Sequence, residues 1–310
     1  MIKALEIVYL TRIEGANPNA AGTEGVISVL KKAVDIDGKE YLRISGQSVK
    51  YHIRQIWREK GLSVSEIKAR TEAGEKVIVS AGDPIKYIDD DLFGYMLAGV
   101  KGEKDRKRTA VVRTNGMISL FPYRGDRDFG VRYDPNDPMG KHNIYEVELT
   151  TNIMRGNVFI ELDRLGKFDR YELGKENGQE LLLDEKEKRL HALFDALFHF
   201  FGGAHLSNYF TKTNPEVMLI AILNRKFPVI GDKLRVKGEI KEGKYIIEID
   251  QLKEAFSTFD SCIDKIIISG FETVIANWNE VKALSNTKIT VLSLKELMEK
   301  VAKIKFFVTS

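Results

Sequence analysis

Apolar and polar positions alternate from the second residue onward, and IKALEIVYLTR predicts a strand over 2–12. The polar, turn-rich EGANPNAAGTEG (14–25) that follows predicts a loop too long for a simple hairpin. A short apolar run at 41–45 stops at Ser-Gly-Gln-Ser, and Val49, Ile53, Ile56 and Trp57 then recur at helical spacing. This predicts a strand feeding a helix. Alternation returns in 109–121 and 143–163, both predicted strands, with a Gly- and Pro-punctuated segment at 122–142 between them that predicts a protruding hairpin. The helix DEKEKRLHALFDALFHFF (184–201) opens on acidic residues and runs to Gly202-Gly203, a predicted C-cap, and a strand at 217–223 follows. The last third predicts strands near 233–240, 244–249, 264–269 and 288–292, with helices near 251–258 and 293–303.

To residue 224 the order is strand, helix, strand, strand, helix, strand. That is an α+β arrangement of ferredoxin-like, RNA-recognition-motif topology, with helices on one face of the sheet and the other face free. Residues 60–108 form an irregular insertion. The expected organisation is 1–224 as the main unit and 225–310 as an α/β portion that completes or buttresses it.

Composition changes this picture little. A chain of 310 residues with 48 basic and 45 acidic side chains carries a formal charge of only +3, so any nucleic-acid site must be a local patch. The single cysteine excludes an internal disulfide framework and suits the cytoplasm. No membrane-spanning run is present.

The local imbalance lies in YLRISGQSVKYHIRQIWR (41–58), which holds no carboxylate. With Ser45 as N-cap, Gln47, Lys50, Arg54 and Arg58 fall on one narrow arc, beside the apolar arc of Val49, Ile53, Ile56 and Trp57. Most basic stripes are solvated helix faces. The lack of an acid and the exposed amides near Gln47 and Ser48 suit an anion. His52 stands near this face, as a base or phosphate contact or as a partly buried structural residue.

The other constellations are weaker. Asp89, Asp90 and Asp91 read as the acidic first turn of a helix whose Leu92, Tyr95 and Met96 pack inward, in preference to a metal site. Five histidines without paired spacing and one cysteine offer no structural zinc. KGEKDRKR (101–108) reads as a solvated loop, with Arg106 and Arg108 as secondary backbone contacts.

Several segments, in order, resemble the DevR autoregulator branch of the CRISPR-associated RAMP superfamily: RISGQSVKYHIR (43–54), DDDLFGYM (89–96), VRTNGMISLFPY (112–123), VELTTNIMRGNVFIELDRLG (147–166) and GGAHLSNYF (202–210). The resemblance covers most of 1–224. It implies a palm of RNA-recognition-motif type, fingers from the 60–108 insertion and a thumb hairpin at 122–142. It further implies a non-catalytic backbone subunit of a type I interference (Cascade) complex, polymerising along guide RNA and presenting it to target DNA in antiviral defence.

On this resemblance Gln47, Ser48, Lys50 and Arg54, with Arg58 and His52 beside them, match the segment that grips guide RNA. The wedge between bases falls to Met139, with Phe129 and Tyr133 as rivals. Partners are the guide RNA, target DNA, further copies of the chain and other Cascade subunits, with no membrane, and no cofactor or metal is expected. Related subunits of type III complexes carry a catalytic aspartate in the first loop; 14–25 offers only Glu14 and Glu24. The competing readings are a RAMP endoribonuclease acting on guide precursor or target RNA, and DNA-binding autoregulation.

Overall fold

The computed structural model describes residues 2–66, 68–72, 75–97, 105–132, 136 and 143–307. Its centre is an eight-stranded sheet whose strands, numbered along the chain, are β1 (Ala4–Ala16), β2 (Lys32–Val34), β3 (Glu40–Ser45), β4 (Val112–Ser119), β5 (Thr150–Glu161), β6 (Val217–Leu223), β7 (Ile263–Gly270) and β8 (Ile289–Ser293). They lie in the order β8-β7-β6-β1-β5-β4-β3-β2. The middle quartet β6-β1-β5-β4 is antiparallel throughout. With helix α1 (Gly46–Glu59) between β1 and β4, and a later helix between β5 and β6, this is the expected ferredoxin-like core.

The further helices used below are α2 (Ile88–Phe93), α3 (Leu183–Phe198), α4 (Ile249–Thr258) and α5 (Leu294–Val301). Alternation along β1 divides its side chains between two cores. Leu5, Ile7, Tyr9 and Ile13 pack with Val49, Ile53 and Trp57 of α1 and with Leu190, Leu193 and Phe194 of α3. Trp57 also donates its indole N–H to the Ala192 carbonyl at 2.9 Å, so its one polar atom is satisfied inside the core.

The opposite face is not free, as the sequence had suggested. Ala4, Val8 and Leu10 meet Val229, Ile230, Leu234, Tyr245, Leu252 and Phe256 from the C-terminal portion. That portion also lengthens the sheet through β7 and β8. Burying apolar side chains on both faces explains the unbroken run VMLIAIL in β6, where every residue is buried. The cover is fastened by Glu6, whose carboxylate accepts the Val229 and Ile230 amides at 2.6 and 3.0 Å. Among the described residues, no side chain of β2, β3 or β4 joins this second core.

Two further expectations change. Residues 14–25 are not a loop: β1 extends to Ala16, and Ala20–Glu24 pairs with Ile27–Leu30. Ile27–Leu30 pairs in turn with Asn143–Glu148, which pairs with Arg127–Arg132. The hairpin base and the early segment therefore form one four-stranded sheet. The long helix stops at Phe198 with His199 as C-cap, so Gly202-Gly203 lies beyond it and does not cap it.

Candidate nucleic-acid interface

Helix α1 begins at Gly46 with Ser45 as its cap, as the sequence implies, but the cap takes up the Ser48 amide that was expected to stay open to an anion. The Ser45 hydroxyl accepts the Ser48 amide at 3.2 Å, and the first turn holds no acid. The Ser45 amide is held by Asn19 at 2.9 Å, tying the helix start to the early segment. Glycine at 46 has a packing cause: a Cβ there would collide with the Thr114 carbonyl oxygen of β4.

The basic stripe divides in two. Gln47 and Arg58 are exposed, and Ser48 is half-buried. Arg54 instead donates Nε to Asp89 at 2.8 Å, with its guanidinium 5.0 Å from the Phe93 ring centre. Lys50 lies 5.4 Å from the same ring, and burial, with the Arg54 charge beside it, lowers its pKa. The carboxylate missing from 41–58 is thus supplied from α2.

Arg108 is the clear correction. Its side chain is fully buried, 2.7 Å from both Asp91 and Glu172, and it donates to the carbonyls of Asp91, Lys167 and Arg164. All of its capacity is spent inside the protein, so it reaches no phosphate. Arg106 is half-buried and donates to the Leu173 carbonyl at 3.3 Å.

The acidic triplet forms the first turn of α2, as expected, and is buried there. Asp89 accepts from Arg54 and the Ser65 amide, Asp90 from the Asp83 amide, and Asp91 from Arg108, Arg189 and the Gly166 amide. Leu92 packs inward as expected, but α2 stops at Phe93, so Tyr95 and Met96 fall on the strand Tyr95–Leu97 instead of the helix, Tyr95 buried and Met96 two-thirds exposed. Among the described residues no cluster suited to a metal ion is found.

His52 is half-buried, edge-on to Tyr51 and Phe200 at 5.2 and 5.9 Å, with Gly202 flush against its ring. Burial lowers its pKa. It serves as a packing plate between α1 and the segment 201–210. That segment ties several elements together. The Ala204 amide reaches the Asn17 carbonyl, His205 at φ +54° meets the Ser28 hydroxyl at 2.8 Å, and Tyr209 donates to Asp128.

Exposed aromatic and apolar groups surround this junction: Tyr51 on α1, Phe201, Leu206 and Phe210 on the segment, and Phe129 and Tyr145 on the hairpin base. Of these, sequence reasoning named only Phe129. The available signal was aromatics set among Gly, Ser and Asn in 201–210, a composition that builds no buried element. Met139 and Tyr133 lie outside the described residues.

The sequence matches the model of the family described as CRISPR-associated negative auto-regulator DevR/Csa2 over residues 5–244. The chain belongs to the DevR/Csa2 family. A curated relative in Myxococcus xanthus (strain DK1622), the CRISPR-associated protein Cas7/Cst2/DevR, is 30% identical over 132 residues. That alignment covers 39% of this chain and 43% of the relative, so the chain spans less than half of the length of that relative.

Two solved structures share the fold. A chain of a CRISPR RNA-guided surveillance complex, pre-nicking, superposes with a TM-score of 0.62 at 13% identity, covering 96% of this chain and 99% of that one. A chain of a CRISPR RNA-guided surveillance complex gives 0.58 at 16% identity, covering 96% and 98%. The family match stops at residue 244, yet the fold match extends over nearly the whole chain. No helix among the described residues is long and apolar enough to cross a membrane.

Proposed function

We propose that this DevR/Csa2 chain is a non-catalytic backbone subunit of a type I CRISPR surveillance complex, holding guide RNA along the α1 surface and presenting it to target DNA. The observation that carries the reading is the junction of α1, the early strand pair, the segment 201–210 and the hairpin base. It places an acid-free helix start beside exposed aromatic rings, the combination that binds single strands by phosphate attraction and base stacking. The family membership and the surveillance-complex neighbours support it.

In this reading residues 1–224 are the palm, with 60–108 the fingers and 122–142 the thumb, and 225–310 buttress the sheet. Gln47, Ser48 and Arg58 meet phosphates directly. Lys50 adds charge from its half-buried position, and Arg54 orients the helix through Asp89. His52 shapes the surface as a ring. On the thumb, Phe129 is exposed on a strand, whereas Met139 stays the wedge assigned by resemblance. The non-catalytic reading rests on the early segment, where Glu14 pairs with Arg12 at 2.9 Å and Glu24 stands without an aspartate beside it.

The test is to incubate the full chain with a labelled single-stranded repeat–spacer RNA, with and without magnesium, and follow binding and RNA length together. Salt-sensitive assembly of several copies on intact RNA is expected. RNA cut to defined ends would assign the chain to the endoribonucleases instead.

A further inference from the structure

The sheet face turned away from α1 carries a second set of cations. Residues directly opposite in antiparallel strands share a face, so the pairings Arg43↔Ile118, Ile118↔Arg155 and Arg155↔Leu10 align these four side chains across β3, β4, β5 and β1. Leu10 is covered by the C-terminal portion. Arg155 stands at the edge of that cover, half-buried, and Arg43 lies beyond it, exposed.

At the edge, Arg155 Nη1 and Arg235 Nε both donate to a single acceptor, the Asp232 carbonyl, at 2.8 and 3.1 Å. Two guanidinium groups converging on one neutral oxygen repel each other and leave most of their N–H donors unused. Burial and the Arg235 charge both lower the Arg155 pKa, and the Asp232 charge only partly offsets them. The Asp232 carboxylate is itself held by Lys233 at 3.1 Å. Among the described residues, neither Arg155, Arg235 nor Arg43 forms an ion pair with a carboxylate. Lys237 stands two residues from Arg235 and is exposed.

We propose that this row is a second nucleic-acid site, in which Arg155 and Arg235 clamp one phosphate and Arg43 meets another on the same strand. Arg43 and Arg155 are two strand spacings apart, about 10 Å. Ile118 offers an apolar surface between them, and the site is placed for a strand other than the one lying on α1. An arginine fork matches phosphate oxygens bidentately, which a surface solvated at random does not need.

The test measures binding of a labelled oligothymidine strand, and of its RNA counterpart, to the full chain across a salt series. Arg43→Gln with Arg235→Gln should weaken binding at low salt and reduce the log–log salt slope by about 0.7 to 1.4, the Arg43 phosphate being lost in full and the clamped one in part. Arg43→Gln alone, at an exposed position, should remove about 0.7. Arg155→Lys keeps the charge but loses the fork, and should weaken binding with little change in slope.

The same strands titrated into Lys50→Gln with Arg58→Gln separate this inference from the guide-RNA reading. If the α1 pair lowers the slope and the sheet set leaves affinity and slope at wild-type values, the second site is refuted while the first stands. If neither set changes binding, both are refuted. Loss of RNA binding with retained DNA binding in the α1 variant, and the reverse in the sheet variant, would assign the sheet face to a DNA strand.

Discussion

Arg108 and Arg155 look alike in the sequence, each an arginine near a run of strand residues, yet the fold treats them in opposite ways. Arg108 is surrounded by Asp91, Glu172 and three carbonyls. Arg155 shares a single carbonyl with another cation. A buried guanidinium with carboxylate partners is a structural strut whose removal strands the opposite charge. One that meets only a neutral oxygen and a like charge keeps its binding capacity. The α1 stripe repeats the lesson within one helix, where Arg54 is locked to Asp89 and Arg58 is exposed.

The largest expected effect breaks the locked region. Asp91→Ala leaves Arg108 and Arg189 buried without their shared carboxylate and should cost about 3–5 kcal/mol, read by urea or thermal unfolding. A loss below about 1 kcal/mol would mean that these charges are not held as described. Next in size, Gly46→Ala forces α1 away from Thr114 and should cost about 1–3 kcal/mol. Its Ser45→Ala neighbour, which only removes the cap, should cost about 1 kcal/mol.

Asp90, in the same buried triplet, makes stability depend on pH. Burial raises its pKa to about 6. A carboxyl whose folded pKa lies above its unfolded value contributes stability that is fully present below the unfolded pKa and lost as pH rises through about 6. Asp90→Asn keeps an oxygen for the Asp83 amide and removes that penalty. It should therefore gain stability relative to wild type above pH 6, by about 1–3 kcal/mol, with the gain shrinking as pH falls toward 4. A gain that does not vary with pH would contradict this account of the site.

The sequence made the core legible because its signals were local and periodic. Alternation in β1 and β5 and helical spacing in α1 and α3 suffice to order the ferredoxin-like strands. The Ser45 cap was equally visible. What stayed hidden depends on partners distant in sequence. Arg54 and Asp89 are 35 residues apart, and Arg108 and Glu172 are 64 apart. Periodicity says nothing of such pairs. The segment 14–25 read as a loop because Gly, Pro and Asn interrupt its alternation; its first part is ordered by residues more than a hundred positions away, as Asn17 is by the Glu148 carbonyl, while Ala20–Glu24 pairs locally with Ile27–Leu30. The covered sheet face was foreshadowed by the expected buttressing role of 225–310 and by VMLIAIL, whose lack of alternation marks a strand buried on both sides.

Guide-RNA binding at α1 is read from a modest change of charge on an exposed helix face. The salt dependence of guide-RNA binding is compared between wild type and Lys50→Gln with Arg58→Gln, both shown to be folded. If about four phosphates are neutralised per subunit, the wild-type log–log slope is near −3, and the double variant should lose about 1.4 of it. Equal slopes in two folded proteins would show that the α1 surface is merely solvated and that the guide lies elsewhere.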